Sequence, residues 1–99
     1  MNIQKMMKDL QRMQSKLQDE IEVLEVEATS GGGIVTARMN GKKELVGLTL
    51  TAEAITPDDP GMLQDLIIAA VNEAGRKIDG EIQQKTQGLA GGLKIPGMS

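Results

Sequence analysis

The stretch IVTARMNGKKELVGLTLT, residues 34–51, decides the fold. Two runs rich in β-branched and aliphatic residues, Ile34 to Met39 and Leu45 to Thr51, flank Asn40-Gly41, a dipeptide whose tolerance of positive φ marks hairpin turns. A turn centred on Asn40-Gly41 pairs Ala37 with Glu44. One centred on Gly41-Lys42 pairs Val35 with Leu48 and Ala37 with Val46. Because a one-residue slip sends every side chain to the opposite face, the second register is the expectation. It gathers Val35, Ala37, Val46, Leu48 and Leu50 on one face and leaves Thr36, Arg38, Thr49 and Thr51 on the other.

Working outward, Gly31-Gly32-Gly33 turns the chain before this hairpin, and residues 24–30 alternate as a strand should (Glu25, Val26, Glu27, Ala28). Three successive strands predict an antiparallel meander. Upstream, residues 2–22 read as an amphipathic helix, with Ile3, Met6, Leu10, Met13, Leu17 and Leu24 recurring every three, four or seven residues and Met7 and Ile21 widening the stripe. Acid accumulating at Glu20, Glu22, Glu25 and Glu27 opposes the helix macrodipole and marks its end. Downstream, Ile55 to Gly61 connects to a second helix. Asp59 is its N-cap, and Pro60 stands at the first helical position, where a missing N–H costs nothing. Its stripe is Leu63, Leu66, Ile67, Ala70, Val71, Ala74, Ile78 and Ile82, and it is expected to end near 86. Gly75 and Gly80 each weaken it by about 1 kcal/mol relative to Ala. The expected organisation is one domain over residues 1–87 and a flexible Gly-rich tail over 88–99.

Composition removes whole classes of function. Among 99 residues there is no His, no Cys and no Phe, Tyr or Trp. Thiol and imidazole chemistry and soft-ligand zinc sites are therefore excluded, and so is stacking of bases on aromatic side chains. Leu, Ile and Val make up about a quarter of the chain, enough to fold. They are not enough to cover two long helices in a chain this short, so a symmetric homodimer is expected to supply the missing burial. No apolar run approaches the length of a membrane span, which leaves an intracellular, soluble protein as the plain expectation. Gly31-Gly32-Gly33 lacks the Gly-Lys-Ser/Thr of a P-loop. The carboxylates Asp58, Asp59, Asp65, Glu73 and Asp79 do not have the spacing of a calcium loop. Neither catalysis nor a metal or other cofactor is expected.

Charge is segregated even though the total is −3. Lys5, Lys8, Arg12 and Lys16 fall within an arc of roughly 80° on the first helix, centred about 145° from its apolar stripe. Such a row is either an ordinary solvated face or a track for regularly spaced phosphates. Asp9 alone interrupts it. Lys42 and Lys43 at the hairpin tip make a smaller basic spot, and Arg76 points away from the second helix's stripe. Met6, Leu10, Met13 and Leu17, with Val46, Leu48 and Leu50, are the candidate core or dimer interface.

Several strings, in order, resemble one family. They are the Met/Gln/Lys-rich opening helix, Gly32-Gly33-Ile34-Val35, Asn40-Gly41 before Glu44-Leu45, the run from Asp65 to Ala74, and Gly91-Gly92-Leu93-Lys94-Ile95-Pro96-Gly97. The chain resembles the YbaB/EbfC nucleoid-associated proteins over nearly its whole length. The resemblance implies an α+β chain of helix, three-stranded antiparallel sheet and second long helix. It further implies a tweezer-like homodimer in the bacterial cytoplasm and nucleoid that binds double-stranded DNA with limited sequence preference. With the residues above, the expected DNA contacts are Lys5, Lys8, Arg12 and Lys16, then Lys42, Lys43 and Arg76. The expected partners are duplex DNA and a second copy, with no membrane and no small-molecule substrate. The alternative is a dimeric protein-interaction module whose DNA affinity is incidental.

Overall fold

The computed structural model describes residues 2–55 and 58–92, the last four of them as helix backbone only. The order is α1 (Ile3–Glu22), β1 (Glu25–Ser30), β2 (Val35–Asn40), β3 (Leu45–Leu50), a 3-10 turn (Ala52–Ala54) and α2 (Pro60–Gly92). The expected helix–meander–helix is the observed one. α1 starts where Asn2 Oδ1 accepts from the Lys5 N–H at 3.2 Å, and α2 starts where Asp59 Oδ1 accepts from the Met62 N–H at 3.1 Å. Both caps satisfy amides that a helix leaves unpaired.

The three strands form one sheet in the order β1-β2-β3, with β2 central. The β1–β2 turn carries positive φ at Gly31, Gly32 and Gly33, a backbone state that glycine reaches without steric cost. The β2–β3 register differs from the expectation. Val35 pairs with Leu50 and Ala37 with Leu48, and a bulge places Met39 opposite Leu45. Asn40 is the cause. Its Oδ1 accepts from the N–H groups of Lys42 and Glu44, and its amide donates to Glu44 Oε1, all at 3.0 Å. An Asn side chain bonded to the backbone two and four residues on closes a longer loop, with Lys43 at φ 62°. The slip of two residues keeps the faces: Val35, Ala37, Leu48 and Leu50 still share one side.

α2 lies across that side over β1 and β2. Ser30 Oγ donates to the Leu66 carbonyl at 2.6 Å and Lys77 Nζ to the Glu27 carbonyl at 2.7 Å. The buried core is Ala28, Val35, Ala37, Met39, Ala54, Ala70, Ala74 and Ile78. Its small residues let helix and sheet approach closely, but they bury little apolar area per residue. β3 forms the open edge, where Leu45, Val46 and Leu48 are exposed.

Two further expectations are corrected. α2 continues to Gly92, so the helix does not end near 86 and the tail does not begin at Gly88. No proline interrupts the helical hydrogen bonds in this stretch, and the cost of its glycines is modest. Residues 93–99 of the expected tail lie outside the described residues. The α1 stripe does not pack along its length either. Met13, Leu17 and Ile21 are half-buried, whereas Ile3, Met6, Met7 and Leu10 are exposed. Met6 and Leu10 are therefore not core residues of the folded chain.

Candidate nucleic-acid interface

The C-terminal end of α1 is seated on the hairpin. The Gly41 N–H donates to the Leu24 carbonyl at 3.0 Å, and a side chain at Gly41 would collide with the Ile21 carbonyl. From this anchorage α1 runs out beside the distal part of α2. Glu20 lies 3.9 Å from Lys85, and Met13 and Leu17 share an open groove with Gly88. The chain is accordingly elongated, 70 × 26 × 15 Å.

Lys5, Lys8, Arg12 and Lys16 are all exposed, and among the described residues none of them forms an ion pair. At ~1.5 Å per residue the row is about 17 Å long, the rise of roughly five base pairs. Five of the six remaining described cations are engaged elsewhere. Arg38 pairs with Glu25 at 3.0 Å, Lys43 with Asp79 at 3.2 Å, Arg76 with Glu73 at 2.7 Å and Lys85 with Glu20 at 3.9 Å. Lys77 donates to the Glu27 carbonyl. Lys42 is unpaired and borders a second groove with Gln14, Leu17, Gln18, Ile21 and Glu22.

The structure thus divides the seven sequence candidates. Four stand together on α1. Lys42 is brought to the same helix on another flank, while Lys43 and Arg76 are each bound to a carboxylate on or beside α2. Glu20 pairs with Lys85 of α2 and not with Lys16, one turn back on its own helix. The exposed uncharged donors Gln4, Gln11 and Ser15 fall beside Lys8 around the helix. A search for charge alone passes over them, though their spacing places them on the same flank. No group of three or more His, Cys, Asp or Glu side chains among the described residues is arranged to hold a metal ion. No described helix is long and apolar enough to cross a membrane.

The family described as the YbaB/EbfC DNA-binding family matches residues 1–93. A nucleoid-associated protein of Pelotomaculum thermopropionicum is 47% identical over 100 residues, spanning 98% of this chain and 95% of that protein. One from Clostridium novyi is 46% identical over 101 residues, spanning 99% of this chain and 89% of that protein. A crystal structure of an uncharacterized protein from Helicobacter pylori has the same fold, with a TM-score of 0.72 at 22% identity, covering 91% of this chain and 98% of that one.

Proposed function

Because the chain belongs to the YbaB/EbfC DNA-binding family, a family of DNA-binding proteins and not of enzymes, we propose that it binds duplex DNA through the α1 row. Lys5, Lys8, Arg12 and Lys16 contact phosphates, with Lys42 as an auxiliary contact. The observation that carries this reading is the difference between α1 and the rest of the molecule. Among the described residues the four cations of the row have no carboxylate partners, whereas Arg38, Lys43, Arg76 and Lys85 do.

Contact of this kind positions a protein on DNA without reading sequence. No aromatic wedge is available to kink the duplex or stack on its bases. Binding is therefore of low specificity and strongly dependent on salt. The working form is a homodimer assembled on the apolar surface that a protomer leaves open. The apolar residues left open include Met6 and Leu10 of α1 and Val46 and Leu48 of β3, with Met13, Leu17 and Leu50 half-buried. Its place is the nucleoid, as the names of the bacterial relatives suggest, where it contributes to DNA organisation and gene regulation.

Fluorescence anisotropy of a labelled duplex across a salt series tests the reading. If all four cations of both protomers engage, log K against log salt has a slope of about −7 at most. A slope near zero would mean that phosphates are not what the protein binds.

A further inference from the structure

Of the three asparagines in the chain, Asn40 alone is followed by glycine; Asn2 precedes Ile3 and Asn72 precedes Glu73. In an Asn-Gly step no side chain shields the second backbone nitrogen, and glycine leaves the main chain free to bend towards the asparagine. The Gly41 nitrogen can then attack Cγ of Asn40. A new N–C bond closes a succinimide ring, and the side-chain nitrogen departs as ammonia, taking the Gly41 proton with it. Water opens the ring at either carbonyl and leaves aspartate or isoaspartate.

In the folded chain the nucleophile is engaged. Gly41 is buried, and its N–H donates at 3.0 Å to the carbonyl of Leu24, just beyond the end of α1. Ile21 of α1 closes over it, with its carbonyl and Cγ2 filling the space above the Gly41 α-carbon. The electrophile is held as well. Asn40 Oδ1 accepts from the Lys42 and Glu44 N–H groups and Nδ2 donates to Glu44 Oε1, each at 3.0 Å. Two donors on Oδ1 would alone favour attack, because they stabilise the oxyanion of the tetrahedral intermediate. The state of the nucleophile decides, since attack requires the Gly41 proton to be released and that proton is hydrogen-bonded and shut away from hydroxide.

We propose that Asn40-Gly41 is a latent deamidation site, kept unreactive by the seat of α1 on the hairpin and exposed when the end of α1 lifts. The product weakens the seat that guarded it. Aspartate at position 40 loses the donor to Glu44 Oε1 and sets a like charge against that carboxylate. Isoaspartate adds a methylene to the main chain where β2 enters the loop and disturbs the strand register. A transient opening thus becomes a permanent one, whatever ligand α1 binds.

The test follows conversion at residue 40 by peptide mass spectrometry. Full-length protein is incubated at mildly alkaline pH, folded or in denaturing urea, with Asn2 and Asn72 as internal references. The folded chain is expected to convert roughly tenfold or more slowly than the unfolded one, because reaction proceeds only from the locally opened state. Ile21→Ala, which thins the packing over Gly41, should raise conversion at residue 40 and hydrogen exchange of the Gly41 amide by the same factor. Wild-type protein across low urea concentrations should show the same proportionality, so the test survives a variant that does not fold. Equal rates in folded and unfolded chains, or conversion that stays constant while Gly41 exchange rises, overturn the proposal.

Discussion

Glu20 points across to Lys85 on α2, 3.9 Å away, although Lys16 lies one turn back on its own helix. Among the described residues Lys16 has no ion-pair partner, and α1 gains a tie to α2. The pair is partly exposed, so its contribution to stability is below about 1 kcal/mol.

Lys85→Ala is expected to release Glu20 toward Lys16. Duplex affinity should fall by about twofold to fivefold at moderate salt, with little change in melting temperature. Anisotropy titration and thermal denaturation of the same preparation separate the two effects. A fall of several degrees with unchanged affinity would show that the pair serves the fold alone.

Ile78 is, with Val35, the largest fully buried side chain, in a core otherwise composed mainly of alanine. Ile78→Ala should cost about 2–5 kcal/mol, because it removes buried apolar volume and leaves a cavity that the packed surroundings close only in part. Urea denaturation followed by far-UV circular dichroism measures this loss.

Gly41 admits no side chain against the Ile21 carbonyl. Gly41→Ala should therefore displace the end of α1 from the hairpin and destabilise the protein by about 1–3 kcal/mol. Hydrogen exchange should show the loss concentrated at residues 20–24 and 40–44, with the centre of α2 unchanged.

These positions also show what the sequence could and could not reveal. Periodicity, the Asp59 cap and the glycine triplet located both helices and all three strands, because these signals act locally; the Asn2 cap of α1 was passed over. The hairpin register was misread by two residues because the Asn40 side chain closes a longer loop, which the Asn-Gly signature does not encode. The cation row was legible because helix geometry is regular. Its freedom from carboxylates among the described residues was not, since where each acid finds its partner, as Glu20 does in Lys85, is decided by contacts far apart in sequence. The exposure of Ile3, Met6 and Leu10 was likewise hidden: an amphipathic pattern says that a stripe needs a partner, not which chain supplies it.

The central claim is that the unpaired row on α1 holds phosphate. Arg12→Glu with Lys16→Glu tests it most directly, measured by anisotropy on several unrelated duplexes across a salt series. The account predicts affinity lowered at least tenfold on every sequence and a log–log salt slope about halved, with the circular dichroism of the fold retained. Wild-type affinity and slope in that folded double variant would contradict it.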